Sequence, residues 1–350
     1  MSGPPRRPVV LSTVAERAAV SVSLVSRILT GDATLRVRDD TRQRVLDAAA
    51  EFNYVPNGAA RALRLSRAGG VGLVVDDVSN PIHAEIIKGA QEAVSARGQV
   101  LLLADASELA GSRRSFDRLV GEGRVDGLLW QGSGFGFDAE LTARASQVLP
   151  TLLVNSRPLG GVPAIRLQDE AAAELATGHL AALGHRRIGY IGGRPGSDLS
   201  VRRMAGYQRA AEQRELDTPE YWRVEEEWDA AGGYRAMARL LARSPRPTAV
   251  LVANVVVATG ALAAATEARL RVPDDLSIVT MHDAWFARHG SPPLTTVRLP
   301  LRPMGRRAVD LVLSGELDED AGEMVITDPP PDLVVRRSTA PPTHQGGLPS

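Results

Sequence analysis

The stretch LSTVAERAAVSVSLVSRILTG, Leu11–Gly31, decides how the rest of the chain is read. Val14, Ala15 and Ala18 recur at helical spacing, and so do Val25, Ile28 and Leu29, which gives two short amphipathic helices with Ser12 and Ser21 as expected caps. A tight turn at Ala19 and Val20 between them predicts a helix-turn-helix. A third helix is expected from Asp39 to Phe52, with acids in its first turn and Val45, Ala49 and Phe52 on one face. Pro56 then pushes Val55 out of the helical region. Residues 58–65 have helical composition but no continuous apolar face, so they are not expected to fold alone.

Charge is distributed to match. The 350 residues carry 41 basic and 41 acidic groups, yet residues 1–68 hold 11 Arg against 6 acids. The amino-terminal end is therefore where an anionic partner would dock. Lys88 is the only lysine, so the arginine count reflects a bias of the whole chain and is not itself a nucleic-acid signal. With no cysteine there is neither a disulfide framework nor a thiol nucleophile. Neither a secretory apolar region nor a run of about 20 apolar residues is present, so the expected address is cytoplasmic, with no membrane partner.

Outward from the head, after Gly70, the periodicity changes. Short apolar runs at 71–75, 100–104 and 127–130 alternate with helical segments at 84–97 and 113–122. A second cycle starts near Asp169 and runs through 187–191, 201–214, 249–253, 259–268 and 277–281. Buried strands alternating with helices imply doubly wound parallel sheets, and two such sheets side by side create a cleft. The fold class is therefore α/β with an all-α head. Its expected parts are a helix-turn-helix domain over 9–56, a linker over 57–68, a two-lobed body over 69–335 and a mobile tail over 336–350.

Three blocks of the head, VAERAAVSVSLVSR, TRQRVLDAAAEFNYVPN and AARAL, resemble in order and spacing the lactose-repressor/galactose-repressor (LacI) family of transcription factors. The resemblance continues to about residue 315 through NPIHAEIIKGAQEA, RVDGLL, HLAALGHRRIGYIGG, RRMAGYQRA, ATGALAAATEARLRVPDDLSIV and SPPLTTVRLP. It implies a head that docks on double-stranded operator DNA and a body like a periplasmic sugar-binding protein. Base-reading positions fall on Val22, Ser23 and Arg27. A valine can pack on a thymine methyl, and an arginine can bond guanine O6 and N7. Leu24 departs from the small polar residue usual there. Residues 56–65 are similar to the family's hinge helix, with Leu63 as a minor-groove wedge and Arg61 beside it neutralising backbone charge.

The same resemblance implies effector contacts at Ile82, His83, Arg203, Asn254 and His282, with the lobes hinged near 164–168 and 294–299. His282 stands where the family usually has an acid, and Val255 replaces another. A carboxylate only accepts hydrogen bonds, whereas a neutral histidine offers one donor and one acceptor. That change points to a different hydroxyl pattern or to a sugar phosphate or sugar acid. No tetramer-forming leucine heptad is present, so a homodimer on a pseudo-palindromic operator is expected, with allosteric control by a small sugar or sugar-derived effector.

The reading is a repressor of carbohydrate uptake or catabolism genes, with a corepressor-dependent repressor or an activator as alternatives. A solute-binding protein, or a sugar-modifying enzyme with a DNA-binding head, is a rival from another class. Enzyme readings lack support, because the glycine clusters at 132–136 and 192–196 miss both the dinucleotide and the phosphate-loop patterns. The six histidines have no metal-ligand spacing, so neither cofactor nor metal is expected.

Overall fold

The computed structural model describes residues 10–32, 34–54, 67–132, 136–315, 317 and 322–343. The chain divides into two compact units, Met1–Gly69 and Gly70–Ser350.

In the first unit, helices α1 (Leu11–Ala18), α2 (Val22–Leu29) and α3 (Asp39–Glu51) enclose a small core. Val14, Ala15, Ala18, Val25, Ile28, Val45, Ala48 and Ala49 fill it. Ala19 adopts the left-handed conformation at φ 55 and closes α1, while the N–H of Val20 reaches back to the Ala15 carbonyl. Ser21 caps α2 by accepting from the Leu24 N–H at 3.2 Å. Ser12 does not cap α1. The cap position is Val10, which has no side-chain acceptor, and Ser12 lies inside the first turn.

The second unit contains two six-stranded sheets. The first is ordered β11-β5-β4-β3-β1-β2, from β1 (Gly70–Val75), β2 (Val100–Asp105), β3 (Gly127–Gln131), β4 (Thr151–Val154), β5 (Ala164–Arg166) and β11 (Glu323–Val325). The second is ordered β12-β10-β9-β8-β6-β7, from β6 (Ile188–Ile191), β7 (Arg223–Val224), β8 (Ala249–Val252), β9 (Ser277–Met281), β10 (Thr295–Arg298) and β12 (Asp332–Val334). Every pairing is parallel except β10 with the edge strand β12. Central strands such as β1 and β8 are buried throughout, as parallel strands covered on both faces must be. Each fully buried Val or Leu contributes about 1.5–3 kcal/mol of transfer free energy.

The helices of this unit are α4 (His83–Ala96), α5 (Ala106–Gly111), α6 (Arg113–Val120), α7 (Phe137–Ser146), α8 (Asp169–Ala182), α9 (Asp198–Gln213), α10 (Ala230–Leu241), α11 (Val255–Glu267) and α12 (Leu301–Ser314). The chain passes between the sheets three times: from β5 to α8, from β10 to α12, and from β11 to β12. The first two passages lie at or beside the segments expected from the sequence. Helix α12 returns to the first sheet by pressing on α4, where a Cβ on Gly89 would lie 2.1 Å from the Arg302 carbonyl oxygen and one on Gly305 2.3 Å from that of Ile86. Only glycine permits that approach.

The mobile tail expected over 336–350 is corrected for residues 336–343, while residues 344–350 lie outside the described residues. Ser338 is fully buried, accepts from the Thr295 N–H at 2.8 Å and donates to the Ile278 carbonyl at 2.6 Å. Ala340 exchanges bonds with the Ser277 hydroxyl at 3.0 Å, and His185 Nε2 contacts the Ala340 carbonyl oxygen at 2.9 Å. Proline and threonine content suggested disorder, but the backbone of this segment has partners on the second sheet.

Candidate functional site

On α2 the exposed residues are those the sequence marks for base reading. Val22 is 45% exposed and Ser23 is exposed, both at the helix N-terminus, and Arg27 lies one turn on with its side chain 42% exposed. Leu24 is half-buried against the small core, which accounts for an apolar residue in place of a polar one. The Arg27 guanidinium is held from one side. Its Nε–H donates to Asp32 Oδ2 at 2.7 Å and one Nη2–H to Thr34 Oγ1 at 3.3 Å. Thr34 in turn donates its hydroxyl and its N–H to Asp32 Oδ1 at 2.6 and 2.9 Å. These bonds, led by that of the Thr34 hydroxyl and then that of Arg27, push the Asp32 pKa down to about 2, so the carboxylate is charged at any physiological pH. Leu63 and Arg61 lie outside the described residues.

The second site is built where strands end. Asp76 follows β1, Gln131 ends β3, Asn155 follows β4, Asn254 follows β8 and His282 follows β9, and all of them wall one cavity of about 230 Å3. Open parallel sheets place ligands at the carboxyl ends of their strands, and here two sheets turn those ends toward a shared space. Two of these residues hold left-handed backbone, Asn155 at φ 54 and His282 at φ 70. Side chains with φ above zero persist where surrounding structure enforces them, commonly at binding sites.

Of the five residues expected to contact an effector, Ile82, His83, Asn254 and His282 lie on the wall. Arg203 does not. It is fully buried behind His282, its Nε–H donating to Asp169 Oδ1 at 2.8 Å and Nη1 to the Ala253 carbonyl at 2.5 Å. Its Nη2 lies 3.1 Å from His282 Nε2. Because a guanidinium only donates, His282 Nε2 must accept. Burial, reinforced by the Arg203 charge, holds the His282 pKa well below the ordinary value, so the ring is neutral and carries its proton on Nδ1. That Nδ1–H has no partner among the described residues.

Asn254 has turned its oxygen to the N–H groups of Val256 and Val257, at 2.6 and 3.3 Å, as the cap of α11. Its amide N–H groups are the part left for the cavity. His83 Nε2 meets Asp76 Oδ1 at 2.7 Å, leaving Nδ1 buried without a partner among the described residues. Gln131 Oε1 and Asn155 Oδ1 are likewise buried and unpartnered among those residues. Neither residue was marked by the sequence, because an amide at a strand end has no spacing signature. A larger hollow of about 800 Å3 lies against the second and third passages, walled largely by residues such as Pro81, Leu299, Leu301 and Pro330. Of these four cavity-wall side chains, only His282 reaches it.

Asp169 joins this cavity to the frame between the lobes. Burial alone would raise its pKa, but the charges of Arg203 and Arg202 hold it below the ordinary carboxylate range. Arg202, on α9 of the second lobe, bonds Asp169 and donates to Asp198 at 2.9 Å. It also donates to the Leu167 carbonyl in the first passage at 3.5 Å and to the Asn155 carbonyl of the first lobe at 3.3 Å. One buried carboxylate thus serves two neighbouring arginines, one backing the cavity and the other bridging the lobes.

Comparison with known proteins finds matches to both the head and the body. A family model described as bacterial regulatory proteins, lacI family, matches residues 10–57, and one described as periplasmic binding protein-like domain matches residues 177–339. The HTH-type transcriptional repressor PurR of Haemophilus influenzae (strain PittEE) is 31% identical over 330 residues, covering 94% of this chain and 98% of that protein. A LacI family transcriptional regulator from Mycobacterium smegmatis is 37% identical, covers 78% of this chain and 100% of its own, and superposes with a TM-score of 0.71. The lac repressor dimer bound to operator and the anti-inducer ONPF is 27% identical, covers 95% of this chain and 100% of its own, and gives a TM-score of 0.79. The chain belongs to the lacI family of bacterial regulatory proteins, DNA-binding transcriptional repressors with a helix-turn-helix head and a periplasmic-binding-protein-like body.

Proposed function

We propose that this repressor acts as a homodimer on a pseudo-palindromic operator, read by Val22, Ser23 and Arg27, and that a small sugar or sugar-derived effector in the 230 Å3 cavity sets its grip. Leu63 of the linker over 57–68 wedges into the minor groove in this scheme, and Arg61 beside it neutralises backbone charge. Dimer formation is supported by the lac repressor, which is bound to its operator as a dimer. It is also supported by edge strand β2, where Val100 and Leu103 stay 57% and 48% exposed.

The effector reading rests on one observation: four buried polar atoms without partners among the described residues, His83 Nδ1, Gln131 Oε1, Asn155 Oδ1 and His282 Nδ1, belong to side chains of the same cavity wall. Each such atom costs about 1–3 kcal/mol when left unsatisfied, so a cluster of four favours a polar ligand that supplies the missing bonds. The cavity is smaller than the roughly 300–1,000 Å3 common for ligand pockets, which suits a monosaccharide-sized molecule. From the second lobe His282 Nδ1–H and the Asn254 amide donate, so the ligand must accept there, which a carboxylate, as an acceptor only, does with every lone pair and a hydroxyl, carbonyl or ring oxygen can also do. From the first lobe the Gln131 and Asn155 oxygens accept, which suits hydroxyl groups.

Calorimetric titration of the full-length protein with paired sugars and sugar acids, glucose against gluconate and galactose against galactonate, tests this. Binding of an acid over its parent sugar, reversed by His282→Asp, is the expected result. Binding unaffected by His282→Asp and by Asn155→Leu would place the effector elsewhere.

A further inference from the structure

We infer that Asp32, together with Thr34, is a positioning residue for base recognition: it fixes the Arg27 guanidinium so that only its reading edge is left open. The inference rests on Arg27 as a base reader. Arginine has five N–H donors. Asp32 takes the Nε–H and Thr34 takes one Nη2–H, which leaves both Nη1 hydrogens and the other Nη2 hydrogen free of partners among the described residues. Those remaining donors form the edge that bonds guanine O6 and N7 together.

The brace is itself anchored. The Asp32 N–H donates to the Arg27 carbonyl at 3.1 Å, Gly31 turns the chain at φ 67, and Thr34 fills both bonding positions of Asp32 Oδ1. Aspartate and arginine five residues apart are thereby locked across the end of α2 before any DNA arrives. An arginine free to rotate must surrender that freedom on binding, and one braced in advance need not. A carboxylate beside the reading arginine repels duplex phosphates whatever the sequence, so its advantage lies in selectivity.

Selection of binding sites from a randomised duplex library by the full-length protein, followed by sequencing, measures preference at each base position. Wild type is expected to give a two-fold symmetric consensus containing one guanine per half-site that Arg27→Ala abolishes. Asp32→Ala keeps the backbone bond to Arg27, so the head stays folded, which circular dichroism checks. It is expected to lower preference at that same guanine about two- to tenfold, the range for leaving one long side chain unordered, while other positions hold. Thr34→Val should give a smaller loss at the same position, and Asp32→Asn, which retains an acceptor, should recover part of it. If Arg27→Ala leaves every position unchanged, the assignment of Arg27 fails. If Arg27→Ala removes the guanine but Asp32→Ala leaves it intact or sharpens it, Arg27 stands and the positioning role of Asp32 is overturned.

Discussion

Arg27 in the head and Arg203 in the body are both pinned by an aspartate, yet they end in opposite situations. Arg27 is 42% exposed and has committed two of its donors. Arg203 is fully buried and has committed all three of its nitrogens, to Asp169, Ala253 and His282. What an arginine can recognise depends on the donors that remain after its own protein has been satisfied. The head's arginine is a reader with an open edge, whereas the body's is a fixed charge that orients a histidine.

Breaking the buried member should do the most damage. Arg203→Ala strands Asp169 with Arg202 alone and is expected to cost about 3–5 kcal/mol of stability in urea unfolding, besides abolishing ligand binding as His282 loses its orientation. Arg27→Ala should cost the head under about 1 kcal/mol, because its pair is exposed, while removing about 1–3 kcal/mol of base discrimination in competition gel shifts. A variant that destabilised the head more than it relaxed specificity would erase the contrast.

The smallest effect sharpens the comparison through pH. His282 has its folded pKa lowered by burial and by Arg203, so the unfolded chain binds its proton more readily than the folded one. Its contribution is complete above the unfolded value of 6.5 and declines as pH falls below it toward the folded pKa. His282→Gln should therefore flatten part of the acid-side loss of stability between about pH 6.5 and 5. The remainder belongs to His179 and His185, whose values burial also lowers. Asp32, already near 2, should add no slope in that window.

Periodicity made the three helices of the head and most of the alternating body legible, because their buried faces repeat at 3.6 residues or fill short apolar runs. The third passage was not legible. Strands of three residues, Glu323–Val325 and Asp332–Val334, flank Pro329, Pro330 and Pro331 and have no pattern long enough to detect. Within the cavity, residue type and family position drew attention to Ile82, His83, Asn254 and His282. Gln131 and Asn155 gave no signal, since only the sheet register brings strand ends together. Arg203 shows the reverse limit: a sequence names a guanidinium but not how many of its bonds are already used.

The chain's closing segment has a consequence for how the molecule is made. β11 completes the edge of one sheet, β12 that of the other, and residues 336–343 then fasten along the second. During synthesis neither lobe can finish before residues 323–343 are translated, so β5 and β10 wait as unpaired edges on the ribosome. A nonsense codon near position 320 would leave both lobes sticky at once, making early termination a route to aggregation instead of to a half-functional regulator.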